Sequence, residues 1–155
     1  MRPLRFTILA LLLGHAHADI PADAQREQLI SRVLQNFWGK ARLADGKFVQ
    51  PASAAERATV PVGREIAYRA LDSGEVSGLA EWCGLDWRPH YLALTGAARR
   101  KGLNDKQVAF VSVLHGTAQG RIASAMAKSA PCGGEERLRV ARLIERSQRR
   151  GLDGT

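Results

Sequence analysis

The segment from Asn104 to about Ser129 constrains the fold more than any other part of the chain. Asn104, with Gln107 three residues on, reads as a capping-box start. Val108, Val111, His115, Ala118, Ile122 and Ala125 then recur at helical spacing. A second stripe, Ala109, Ser112, Gly116, Gly120 and Ala123, runs beside that face. Side chains this small let another backbone come close, so the helix is expected at the centre of the molecule, gripped on more than one side. Gly116-x-x-x-Gly120 would suggest a membrane dimer only inside a long apolar helix. Gln119 and Arg121 adjoin it here, so close packing in a core is the better account.

Other helices can be placed around this one. Asp23 is set to cap a first helix reaching about Ala41, with Ile30, Val33, Leu34, Phe37, Trp38 and Ala41 on its apolar side. Periodicity fades from Leu43 to Thr59. Asp45-Gly46 and Pro51 mark a surface loop, and Lys47-Phe48-Val49 is too short to count as a strand. A second helix is expected from Pro61 to Leu71, ended by Ser73-Gly74, and a short third from Glu75 to Cys83, ended by Gly84. Asp86 is placed to cap a fourth, with Pro89 in its first turn, half-exposed His90 beside it, and Arg99-Arg100-Lys101 and Gly102 closing it. Pro131, Gly133 and Gly134 break the chain before a last helix from Glu135 to Arg150. No alternation of the kind a sheet needs is present. The expectation is an all-α fold: a single compact array of five or six helices around a central helix.

The N-terminus points to export. Arg2 and Arg5 precede an apolar run from Phe6 to Leu13, and Ala16 and Ala18 stand at the spacing a signal peptidase reads. We expect a signal peptide over residues 1–18, cleaved after Ala18, and a single helical domain over residues 19–155. The apolar run is too short for a stable membrane anchor, and charges or glycines interrupt every later apolar stretch. No transmembrane segment is therefore expected after signal removal, and the mature chain is expected in the periplasm or secreted. Cys83 and Cys132 are the only cysteines. In an oxidising compartment two thiols most simply form one bridge. A redox pair would ordinarily stand closer, as in C-x-x-C.

The formal net charge is +8, and the signal accounts for only two of the positive charges. A basic exported chain would be drawn to anionic lipid, lipopolysaccharide or acidic glycans; nucleic acid is not an expected partner. The charge gathers in the last helix, where Arg137, Arg139, Arg142, Arg146, Arg149 and Arg150 face Glu145 alone over residues 137–150. Arg142, Arg146 and Arg149 fall on one broad stripe, with Leu138, Ala141 and Ile144 left to face the core. Planar guanidinium groups suit phosphate and carboxylate, so these three arginines are the candidate contacts for an anionic envelope component or a protein partner. A solvated helix that merely keeps the surface polar would look the same.

Catalytic signals are sparse. His115 lies among apolar residues on the central helix and could act as a general base, although a core histidine is the commoner outcome. Glu81 and Asp86 could form an acid/base pair of the glycan-cleaving kind. Glu81 is followed by Trp82, however, and not by the serine of lytic transglycosylases. Ser77 is not in a G-x-S-x-G elbow, and no histidine spacing prearranges a metal. No cofactor or metal is expected. The segment Gly78-Leu-Ala-Glu-Trp-Cys-Gly-Leu-Asp-Trp87, with Asp105-Lys-Gln-Val-Ala-Phe110 and Leu114-His-Gly-Thr-Ala-Gln-Gly120, resembles uncharacterised small exported helical proteins of proteobacteria. That resemblance covers about the middle third of the chain and implies no activity. The leading expectation is a small non-enzymatic binding or interaction protein. The alternative is a hydrolase-like envelope enzyme using His115, Glu81 or both, which would need His115 to open onto a cleft.

Overall fold

Six helices carry the chain in this computed structural model, which describes residues 22–153. They are α1 (Ala22–Gln35), α2 (Ala54–Ala58), α3 (Arg64–Trp82), α4 (Arg88–Arg100), α5 (Asp105–Met126) and α6 (Gly134–Arg150). No strand occurs among the described residues, and Arg42 and Phe48 form only an isolated antiparallel bridge. The expected export signal, residues 1–18, lies outside the described residues. Among those described, no helix is long and apolar enough to cross a membrane.

α5 begins as its sequence requires. The Asn104 side chain accepts from the Gln107 N–H at 3.0 Å, and the Gln107 side chain accepts from the Asn104 N–H at 2.9 Å. It is the central helix, and its largest contact is with α3. That contact corrects two expectations. Ser73-Gly74 does not end a helix; α3 runs unbroken through both residues to Trp82. Nor do Gly116 and Gly120 make the close approach, since a Cβ on either would meet nothing within 4 Å. The close approach is made by α3. A Cβ on Gly74 would lie 2.2 Å from the His115 carbonyl oxygen, and one on Gly78 would lie 2.6 Å from Ile122 Cβ. A glycine inside a helix costs about 1 kcal/mol relative to alanine. Here that cost is offset by the packing that only glycine permits.

α1 stops at Gln35, short of Ala41. Turn hydrogen bonds through Asn36 and Phe37 carry the chain round, and Gly39 and Val49 then join through a 2.8 Å backbone bond. The reversal still buries Phe37, Trp38 and Val49, with Phe37 edge-on to Phe110 at 5.0 Å between centroids. α2 occupies what reads as loop; its signal is Ser53, whose hydroxyl accepts from the Glu56 N–H at 3.0 Å. α4 is capped by Trp87 without a side-chain bond. Asp86 instead accepts from the Arg88 N–H at 3.1 Å, one position ahead of the expected cap.

A second, smaller core closes the other end. Ala80, Cys83 and Val140 pack with Trp82, Trp87, Cys132 and Ile144. Cys83 and Cys132 are joined, with their Cα atoms 5.0 Å apart, tying the end of α3 to the turn before α6. Arg137 donates to the Cys83 carbonyl at 2.7 Å beside the bridge. On α6, Val140 is the buried anchor, with Ala141 and Ile144 half-buried. Leu138, expected in the core, is 62% exposed, because Val140 and Arg137 turn the opposite side of the helix toward α3.

Candidate functional site

Two Ser-Gly pairs stand four residues apart in α3, Ser73-Gly74 and Ser77-Gly78. On a helix this spacing stacks glycine over glycine and serine over serine. The glycines admit α5, and the serines are carried into the interior beside it. Ser77 Oγ lies 2.9 Å from His115 Nε2 of α5 and 2.9 Å from His90 Nδ1 of α4. His90 Nε2 lies 2.8 Å from Ser147 Oγ of α6 and 3.3 Å from Ser73 Oγ. One hydrogen-bonded chain, Ser147–His90–Ser77–His115, therefore crosses four helices.

Its inner three members are sealed, and Ser147 is half-buried at the outer end. Ser77 is 0% exposed, His115 1% and His90 2%. The expectation that His90 would be half exposed fails because the first turn of α4 docks against α3 and Ser147 closes over the ring. His115 is covered on its other side by Tyr91, at 5.0 Å between centroids, and Trp87, at 6.3 Å. Beside His90 remains a void of about 10 Å³, bounded by Ser73, Ala93, Leu94, Ser147, Gln148 and Gly151.

Burial disfavours the charged form of an imidazole. It lowers the pKa of His90, and it lowers that of His115 to about 4, with the neighbouring His90 a second cause. Both rings are thus neutral near pH 7, and the chain of bonds closes in either direction. Ser147 donates to His90, His90 to Ser77 and Ser77 to His115, or every donor and acceptor reverses. Every buried side-chain nitrogen and oxygen among the described residues has a partner. Such an arrangement can fix four helices in register. It offers no route by which a substrate could reach Ser77 or His115.

Glu81 is not brought to His115. It is exposed, and its carboxylate accepts from Gln119 Nε2 at 2.8 Å, one turn further along α5. Asp86 is exposed and committed to the turn before α4. No group of three or more His, Cys, Asp or Glu is set to hold a metal among the described residues.

No family model, no curated protein and no solved structure matches this chain.

Arg142, Arg146 and Arg149 lie exposed on the outer side of α6, in line with Leu138. Arg149 stands 4.0 Å from Glu145, and Arg139 is paired with Glu136. The side chains of Arg142, Arg146 and Arg150 have no hydrogen-bond or ion-pair partner among the described residues. The fold adds charge that the helix alone does not show. Arg100 and Lys101, at the end of α4, meet Arg149 and Arg150 around a concavity of about 310 Å³. Asp153 pairs with Lys101 there. Sequence reasoning missed both this junction and the part played by Ser77. The four-residue Ser-Gly repeat could have revealed the serine, whereas nothing local places the end of α4 beside that of α6.

Proposed function

We propose that this protein is a non-enzymatic binding protein of the periplasm or the extracellular space, and that α6 is its contact for an anionic component of the envelope. The observation that carries the reading is the outer face of α6. Arg142 and Arg146 are exposed and without internal partners there, and Leu138 lies exposed on the same line. Arginines that served the fold would be expected to have partners, as Arg137 has in the Cys83 carbonyl. Arg149, Arg150 and Arg100 extend the positive surface past the end of the helix. An exposed leucine among arginines suits a surface that is anionic above and apolar below, as a phospholipid membrane is. The disulfide fits an oxidising compartment, and the sealing of His115 weighs against catalysis from the interior.

The test replaces Arg142, Arg146 and Arg149 together by glutamine and measures binding to phosphatidylglycerol and phosphatidylcholine vesicles at low and high salt. Each basic residue near an anionic surface contributes about 1 kcal/mol. The triple variant should therefore bind anionic vesicles about 100-fold more weakly, and wild-type binding should fall as salt screens it. Equal binding by the two proteins, or binding indifferent to salt, would overturn the proposal.

A further inference from the structure

A cleft lies away from α6, between the turn at residues 42–44, α4 and α5. It encloses about 440 Å³, within the size range of small-molecule sites. Its apolar lining comes from Leu43, Leu92 and Val108, its hydroxyls from Tyr91 and Ser112, and its charges are Arg42, Arg99 and the one carboxylate of Asp105, a net positive set. Leu92 is 64% exposed at the rim, and Phe48, under the Arg42 guanidinium, is also exposed. Leu92 is thus an exposed large apolar side chain in the lining itself, while Phe48 lies outside it and touches the cleft only through Arg42.

The polar inventory is selective. Tyr91 donates its hydroxyl proton to Ser112 at 3.0 Å, and Ser112 donates its own to the Val108 carbonyl at 2.9 Å. Thr95, also in the lining, donates back to α4 carbonyls. The hydroxyl protons are consumed inside the protein, which leaves guanidinium N–H groups as the remaining side-chain donors to the cleft. Arg42 is held by its bond to the Gly46 carbonyl at 2.7 Å and by stacking 4.1 Å from the Phe48 ring centroid. Arg99 is steadied by Asp105 at 3.2 Å. Each guanidinium has five N–H donors, so both retain donors after these bonds. Holding them in place beforehand lowers the ordering cost of binding. We propose that this cleft is a binding site for a small amphipathic carboxylate, an alkyl chain lying along Leu43, Leu92 and Val108 with its anionic end between Arg42 and Arg99. A neutral alcohol would leave the guanidinium groups without a charged acceptor, and an inorganic anion would leave the apolar wall wet.

The inference is independent of the reading of α6, and so is its test. Decanoate is titrated into the full chain at concentrations below micelle formation, and binding is read by calorimetry and by tryptophan emission. Trp87, edge-on to Tyr91 at 6.4 Å, is the reporter. Saturable one-to-one binding is expected, with decanol at least tenfold weaker. Arg42→Gln with Arg99→Gln should weaken decanoate at least tenfold. Leu92→Glu, at an exposed position outside the core, should do the same while leaving the melting temperature unchanged. The α6 triple variant should bind decanoate as the wild type does. Absent or unsaturable binding, equal affinity for decanol, indifference to Leu92→Glu, or loss in the α6 variant would each overturn the assignment.

Discussion

Acid should destabilise this fold through its buried imidazoles, and His115 sets the scale. Its pKa is about 4 in the folded chain against an ordinary 6.5, through burial first and His90 second. Below pH 6.5 the unfolded chain takes up a proton that the folded chain refuses until about pH 4. The stability contributed by the neutral ring is therefore complete above 6.5 and is lost progressively as pH falls toward 4. For His115 alone the loss is about 2 kcal/mol at pH 5 and about 3 kcal/mol at pH 4. His90, lowered by burial as well, adds in the same direction. Against a total stability of about 5–15 kcal/mol such a loss is large. Glu75 opposes it, because burial raises its carboxyl pKa and protonation then favours the folded chain. Glu56, Glu136, Asp45 and Asp153 are lowered by hydrogen bonds and ion pairs, so their contributions fade mainly below the ordinary carboxylate range. A comparison stopping near pH 5 therefore leaves out these four carboxylates and sets the histidines against Glu75. Urea unfolding followed by circular dichroism at about pH 7.5 and about pH 5 measures the loss. His115→Gln should flatten the pH dependence, and the His115 ring should titrate far below 6.5 by NMR. Stability that is level across this interval, or a ring titrating near 6.5, would refute the argument.

Gly74→Ala should cost about 3 kcal/mol by urea unfolding, since its Cβ would meet the backbone of His115 at 2.2 Å. Gly116→Ala and Gly120→Ala, where a Cβ meets nothing within 4 Å, should instead stabilise by up to about 1 kcal/mol each. The oxidised protein should show no free thiol when denatured. Reduction of the Cys83–Cys132 bridge, which spans a sequence separation of 49, should lower stability by about 4 kcal/mol on the chain-entropy account.

Local rules in the sequence determined much of the architecture. The capping box of α5, Gly84 and Gly102 at positive φ after α3 and α4, and the apolar repeat of α5 all depend on neighbours within a turn or two. The all-α class and the cysteine pairing follow from signals equally legible in the chain. What depended on distant partners was not legible. Ser73-Gly74 has the composition of a helix end, and only α5 lying against it makes an unbroken α3 the better solution. Gly116 and Gly120 look like a packing groove, yet they face outward because glycines on the opposing helix already provide the close approach. The arginines of α6 were visible as a run of charge, but Val140 and Arg137 chose which side faces outward and left Leu138 exposed. His115 was legible as a histidine among apolar residues. Its neutrality and its bond to Ser77 were decided by tertiary structure, because burial and hydrogen-bond partners are supplied by helices remote in sequence.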